Sequence, residues 1–237
     1  MKYIDETAWA RKPISDGFGE LDYPFFSVTF PVEVTALYGW AKAAGVSVYH
    51  ACIHAVMETV NALDPFLYKL RADGVVRHDF LSPSFTVPEG ELFKIVTVDW
   101  RPGETVRDFS ARAKRQAEAQ ETLFPDAASE ARDDLVYISC LPWLAFTSLT
   151  NERSFDKRDS IPRLAWGRMT LSEGKRYMPF SVDVNHRLID GRHIGMLSEA
   201  LNASMGRDDM HRYSMGEYPG TVPGQYPGDG PGEEAET

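Results

Sequence analysis

The segment Ser181-Val182-Asp183-Val184-Asn185-His186-Arg187-Leu188-Ile189-Asp190-Gly191 sets a single histidine four residues ahead of an Asp-Gly pair. Imidazole changes protonation near neutrality and is the side chain most often used to take a proton from a reacting group. The chemistry on offer is therefore general base catalysis at His186. Asp190 has two roles open to it, capping the helix that follows or holding an arginine. Gly191 would permit a close backbone approach, or a positive φ where a Cβ would clash. Neither role needs Asp190 to touch a substrate. The competing reading is a turn histidine followed by an ordinary Asp-Gly turn.

Elements on both sides must hold His186 in place. Phe180, Val182 and Val184 alternate with Ser181, Asp183 and Asn185, the period of a half-buried strand. Beyond Gly191 the period changes, with Ile194, Leu197 and Leu201 at helical spacing beside Met196 and Ala200. His186 thus falls on a turn between a strand and a helix, a rigid support for a proton-transfer group. Some forty residues upstream, Asp134 to Leu149 reads as a buried strand broken at Pro142-Trp143 and ending in Thr147 and Ser148. Taken by itself, Ser148 reads as a strand-end serine bonded to backbone. Val32 to Asn61 suggests two helices, the second with a broad buried face, and Thr105 to Glu121 a more exposed amphipathic one.

The run from Ser139 to Ser148, with Pro142-Trp143 and Phe146-Thr147-Ser148, resembles the corresponding stretch of the type A chloramphenicol acetyltransferases, and His186-x-x-x-Asp190-Gly191 resembles their catalytic motif. The likeness runs in order over roughly residues 1 to 210. It takes in Trp9-Ala10-Arg11, Val60-Asn61 at the close of a helix, Pro83-Ser84-Phe85-Thr86-Val87 and Leu123-Phe124-Pro125. The fold class it implies is α/β: a mixed β-sheet flanked by helices, the CoA-dependent acyltransferase fold, as a homotrimer with active sites between subunits. The activity it implies is acetyl-CoA-dependent O-acetylation of a chloramphenicol hydroxyl, which confers antibiotic resistance, with no permanently bound cofactor and no metal. In such an enzyme His186 deprotonates the hydroxyl and Ser148 donates to the tetrahedral oxyanion. Arg11 pairs with Asp190 to fix the loop carrying His186, although Arg11-Lys12 also reads as an ordinary solvated basic pair. Phe93 and Thr86 match acceptor-pocket positions. Arg168 is a candidate for the CoA phosphates, with Lys175 and Arg176 near it.

The chain also departs from the family pattern. Asn185 stands where the family usually has a second histidine, Arg187-Leu188-Ile189 replaces small residues, and Ala165 takes the place of a threonine. The segment from Lys12 to Phe26 holds aromatics in an uncertain register, and Pro88-Glu89-Gly90-Glu91 is a short loop. Asn151 to Ser160 is more charged than the apolar wall expected for a nitrophenyl antibiotic. His-Arg-x-x-Asp-Gly also resembles the catalytic domains of dihydrolipoyl acyltransferases, which share the fold and the base. The alternative is therefore a CoA-dependent acyltransferase of the same fold with a different hydroxyl acceptor.

Composition sets the remaining bounds. With 237 residues, 43% hydrophobic and 12% aromatic, one core suffices. An acyltransferase domain is expected over 1–215, followed by a Pro/Gly-rich acidic tail over 216–237 that cannot pack a core of its own. A formal charge of -10 without a basic stripe argues against nucleic acid and anionic membranes as partners. Cys52 and Cys140 lie in apolar or strand contexts and are expected to be reduced, which fits the cytoplasm. No signal peptide and no membrane span are expected. His50 and His54 form a His-x-x-x-His pair with no evident third ligand and read as core or interface histidines. His193 reads as a packing residue rather than a second base.

Overall fold

A computed structural model describes residues 1–206, so the expected tail over 216–237 lies outside the described residues. In chain order the elements are β1 (Lys2–Tyr3), α1 (Lys12–Gly19), β2 (Phe25–Glu33), α2 (Thr35–Ala44), α3 (Val48–Ala62), β3 (Tyr68–Arg71), β4 (Gly74–Arg77), β5 (Ser82–Glu89), β6 (Leu92–Thr97), α4 (Val106–Ala119), α5 (Ala127–Glu130), β7 (Leu135–Leu141), β8 (Arg163–Gly167), β9 (Thr170–Ser172), β10 (Lys175–Asn185) and α6 (Gly191–Gly206). The main sheet runs β2-β10-β8-β7-β5-β6, with β9 beside β10, and a small sheet runs β1-β4-β3. β7 is parallel to both of its neighbours while the other pairs are antiparallel, so the sheet is mixed.

The two faces of this sheet differ because side chains alternate along every strand. One cross-strand row reads Val96, Phe85, Ile138, Leu164 and Val182. It is buried in the core with Leu37 of α2, Val56 of α3, Phe109 of α4 and Leu197 of α6. The next row, on the opposite face, reads Thr97, Ser84, Tyr137, Arg163, Asp183 and Ser27. Helices therefore close the apolar face, and the polar face is left to loops. The helices start and stop where local chemistry dictates. Ser47 accepts from the His50 backbone N–H, Thr105 accepts from that of Asp108, and Gly45 ends α2 at φ 65°, a left-handed conformation natural to glycine.

Two expected boundaries move. The helical reading from Val32 fails at its first residues because β2 continues to Glu33, its register with β10 holding through Tyr177↔Glu33. The strand expected to reach Ser148 stops at Leu141, where Pro142 has no N–H for the ladder and the Leu144 N–H turns back to the Leu141 carbonyl at 3.0 Å. The turn between β5 and β6 is correspondingly tight, with Glu89 opposite Leu92 and Gly90 at φ 62°.

The buried face of α3 carries His54 and Glu58 one turn apart, 4.0 Å between His54 Nε2 and Glu58 Oε1. Burial pushes the Glu58 carboxyl up to about 8 and the His54 imidazole down. Both histidines of the pair on α3 make internal contacts, His50 Nδ1 with Ser110 Oγ at 2.9 Å and His54 Nε2 with the Glu104 carbonyl at 2.8 Å. Cys52 is a buried free thiol and Cys140 a half-buried one. Among the described residues no helix is long and apolar enough to cross a membrane.

Candidate active site

His186 follows the last residue of β10, and main-chain bonds hold it on both sides. Its N–H donates to the Pro24 carbonyl at 2.7 Å, and its own carbonyl accepts from Arg11 Nη2 at 3.1 Å. The ring lies flat on Phe18, with centroids 3.9 Å apart and planes 9° apart, and against Phe26 at 4.5 Å. Its Nδ1 is enclosed with no partner within the chain. Phe18 comes from α1 and Phe26 from β2. Both belong to the aromatic segment whose register the sequence left uncertain.

Arg11 sits behind this turn. It donates to Asp190 Oδ2 at 2.7 Å, to the Arg187 carbonyl at 3.1 Å and to the His186 carbonyl, so it is not a solvated surface charge. Asp190 fills both roles open to it. While Oδ2 holds Arg11, Oδ1 accepts from the backbone N–H groups of Arg192 and His193 at the start of α6. Burial, the largest single influence, would raise its carboxyl, but the Arg11 bond, the neighbouring His193 and Arg11 charges and the His193 N–H together keep it below the ordinary carboxylate range. His193 Nδ1 accepts from the Asp190 N–H at 3.1 Å, so the ring packs locally.

The expectation for Gly191 does not hold within the chain. It is the first residue of α6, its φ is not in the left-handed region, and a Cβ built there would meet nothing. The departures from the family motif find partners instead. Asn185 donates to the carbonyls of Lys157 and Asp159 at 2.9 and 3.0 Å and accepts from the Arg187 N–H. Arg187 Nε donates to the Ser15 carbonyl of α1, and Leu188 and Ile189 are buried in the core.

Ser148 is exposed, in a loop rather than at a strand end, and no bond ties its hydroxyl to backbone. That loop crosses the polar face of the sheet along β10. Ser181 Oγ donates to the Leu149 carbonyl at 3.2 Å, the Asn151 N–H donates to Asp183 at 3.5 Å, and Asn185 holds 157 and 159. The loop therefore travels towards His186 from a start beside Ser181, which leaves Ser148 at the far end. Five extended residues separate Ser181 from His186, roughly 16 Å at about 3.3 Å each. A single chain does not bring Ser148 to His186.

Glycine is required elsewhere, at Gly167. A Cβ there would overlap the Leu144 carbonyl and lie 2.8 Å from Pro179 Cγ and 3.0 Å from Phe146. Its absence lets the loop leading to Ser148 lie against β8, where the Arg168 N–H donates to the Leu144 carbonyl at 2.7 Å. Ala165 is fully buried, paired with Ser139 on one side and Ser181 on the other.

A cavity of about 680 Å³ opens on the same sheet face, large enough for a drug-sized molecule. Thr86 and Phe93 both line it, together with Phe124, Tyr137, Asn151 and Arg153; His186 and Ser148 do not. The charges of this wall are paired with one another. Arg153 bonds Asp183 at 2.5 Å and Asp159 at 3.2 Å, Arg163 bonds Asp159 at 2.9 Å, and Arg153 lies 3.9 Å over the Phe25 ring. Arg153 and Asp183 side chains are 2% and 1% exposed. Nothing in the sequence singled out Phe18, Phe26, Arg153 or Asp183; the only signal was the odd density of charge after Asn151. Of the basic candidates, Lys175 is engaged by Glu33 at 2.9 Å and Arg176 lies 4.2 Å over the Tyr38 ring, while Arg168 is exposed.

Comparison with known proteins adds identity to this geometry. The chloramphenicol acetyltransferase family model matches residues 1–202. A chloramphenicol acetyltransferase of Bacillus pumilus is 27% identical over 205 residues, 85% of this chain and 91% of the relative. A solved chloramphenicol acetyltransferase superposes with a TM-score of 0.78 at 25% identity, covering 86% of this chain and 99% of the other. The Azotobacter vinelandii dihydrolipoamide acetyltransferase shares the fold, with a TM-score of 0.64 at 17% identity over 83% of this chain and 86% of its own. The order of strands, the histidine at the end of β10 and a match across nearly all the described residues lead to one assignment: this chain belongs to the chloramphenicol acetyltransferase family.

Proposed function

We propose that the chain is an acetyl-CoA-dependent O-acetyltransferase that acetylates a hydroxyl of chloramphenicol, and that it works as a homotrimer with each site shared between two subunits. The observation that carries this reading is the mounting of His186: a base candidate clamped between two aromatic rings, with its backbone tied to Pro24 and Arg11. Such a mounting limits ring rotation and pre-pays the orientation of proton transfer. With Nδ1 enclosed, Nε2 is the nitrogen assigned to the substrate.

The steps balance without a metal. The acceptor hydroxyl gives its proton to His186 Nε2 as its oxygen attacks the thioester carbonyl, forming a C–O bond and a tetrahedral oxyanion. Ser148 donates its hydroxyl to that oxyanion. Collapse breaks the C–S bond, and the imidazolium returns the proton to the departing thiolate. Arg168, exposed and anchored through its backbone to the loop preceding Ser148, suits the CoA phosphates.

Sharing the site between subunits reconciles Ser148 with His186. It also accounts for apolar side chains left exposed, among them Phe93 of β6 at 53% and Phe124 at 56% beside the cavity, and Trp143 at 75% in the loop leading to Ser148. A direct test mixes two inactive proteins, His186→Ala and Ser148→Ala, by co-expression. In a closed ring of three, random assembly gives both intact residues at roughly a quarter of the sites, so about a quarter of parental thiol release should return. No recovery above either variant alone would refute a site shared between subunits. Gly167→Ala tests the loop in a second way. A shift of about 1 Å at a catalytic group costs on the order of a hundredfold, so kcat should fall by about that much while the protein still folds, as read by thiol release beside thermal unfolding. An unchanged kcat would separate the loop's position from catalysis.

A different hydroxyl acceptor is the second reading, favoured by the charged wall of the cavity.

A further inference from the structure

α1 carries Phe18, the ring that lies flat on His186, yet the helix has little of its own to hold it. It is eight residues long, contains Gly17 and Gly19, and has no side chain capping its start. Helices this short are marginal in water, and glycine is among the weakest helix formers. Ser15 is its one fully buried residue, so no apolar face is sunk in the core. Arg187 supplies the missing hold. Its Nε donates to the Ser15 carbonyl at 3.0 Å, and its guanidinium rests against the last residue of the helix, where a Cβ on Gly19 would lie 3.3 Å from both Cζ and Nε. A cation there opposes the negative end of the helix dipole, and α1 has no basic residue in its own last turn. The main chain of Arg187 is fixed in turn, its N–H donating to Asn185 Oδ1 at 3.0 Å and its carbonyl accepting from Arg11 Nε at 3.1 Å.

We infer that Arg187 is a positioning residue for acetyl transfer: from within the turn that carries the base it grips α1, sets Phe18 flat on His186 and so fixes the orientation of the imidazole. The inference rests on the acetyl-transfer reading of the site. Arg187 follows His186 in the chain, so a helix tied to one is held in register with the other. The two neighbours of the ring are held differently. Phe26 comes from β2, whose pairing with β10 is continuous from Phe25 to Glu33 and needs no side-chain tie. Phe18 has only α1 behind it. Loosening Arg187 therefore frees one side of the imidazole and leaves the other in place, and a misplacement of about 1 Å at a reacting group costs on the order of a hundredfold. Arg187 acts through Phe18 and does not line the cavity.

The test uses the full chain and thiol release with acetyl-CoA and chloramphenicol. Arg187→Leu keeps an apolar stem but can neither donate to Ser15 nor set a charge at the end of the helix. Its kcat is expected to fall by about thirtyfold to a hundredfold, with KM for acetyl-CoA within about twofold of the parent. A cycle with Phe18→Leu asks whether the loss runs through that ring. The double variant should be slower than the slower single variant by no more than about twofold, because both changes remove the same support. Histidine-labelled NMR reads the stack without turnover. The His186 ring protons, identified by their absence in His186→Phe, lie in the ring current of Phe18, and Arg187→Leu should move them as Phe18→Leu does. Thermal unfolding checks that each variant is folded; should Arg187→Leu fail to fold, Arg187→Lys carries the same test, its cation retained and its Nε bond lost. A kcat within about threefold of the parent, losses that multiply in the double variant, or His186 signals that do not move would overturn the inference while leaving acetyl transfer standing. No thiol release from the parent protein with any acceptor, chloramphenicol included, would instead sink the acetyl-transfer reading, and the inference with it.

Discussion

Replacing His186 by alanine is expected to abolish measurable turnover, lowering kcat by about a thousandfold to ten-thousandfold, the upper part of the range for a positioned general base. The upper part applies because no neighbour can stand in. The other histidine of the motif region, His193, has Nδ1 occupied by the Asp190 N–H and sits on the first turn of α6. The turn itself should survive, since its contacts to Pro24 and Arg11 are made by the His186 main chain. What alanine removes structurally is the ring stack on Phe18 and Phe26, roughly 0.5–1.5 kcal/mol per aromatic pair. His186→Phe separates the two effects, for it retains a ring between the two aromatics and has no base. Steady-state thiol release, size-exclusion chromatography and thermal unfolding should therefore find both variants inactive and assembled, with the phenylalanine protein closer to the parent in melting temperature. Retention of more than about a tenth of parental kcat by either would take proton transfer away from His186.

The parts of the site that sequence made legible are those coded by local period. Alternation from Phe180 to Asn185 and helical spacing after Gly191 are short-range patterns, and β10 and α6 appear where those patterns lie. What stayed hidden depends on contacts between distant segments. Phe18 and Phe26 meet His186 only because α1 and β2 fold back across the end of β10, and no spacing in the chain encodes that register. The glycines show the same limit. Asp190-Gly191 has the form of a turn signal, yet the steric demand is at Gly167, created by Leu144, Phe146 and Pro179 arriving from elsewhere. Ser148 was read as a strand end because Leu135 to Leu141 is apolar, and Pro142 ends the ladder seven residues too early for that. The charges from Glu152 to Asp159 mark a wall less apolar than a nitrophenyl ring would call for, but their spacing does not reveal that Arg153 enters the most buried ion pair at the site. The reason lies in β10. Asp183 faces away from the helices onto a sheet face that the 149–159 loop covers, and a covered carboxylate there needs a cation.

That pair is where the largest loss of stability is expected. Asp183→Asn should cost about 3–5 kcal/mol, the range for removing one partner of a buried ion pair and leaving the other charge uncompensated. Water cannot make up the loss, because Arg153 is 2% exposed and the Phe25 ring covers the guanidinium at 3.9 Å. Asp159 cannot do so alone, since it already serves Arg163 at 2.9 Å. Burial lowers the Arg153 guanidinium from its ordinary value, the direction expected of a cation held by its partners and not by solvent. If the penalty comes from the stranded charge rather than from lost shape, deleting that charge should recover part of it. The double variant Arg153→Met with Asp183→Asn should accordingly unfold at higher urea than Asp183→Asn alone, with a coupling energy of about 1 kcal/mol or more. Urea unfolding at one fixed protomer concentration measures this, because self-association would otherwise move the midpoints. A loss below about 1 kcal/mol for Asp183→Asn, or a double variant less stable than both single ones, would mean that packing of the loop rather than charge pairing holds the cavity wall against β10.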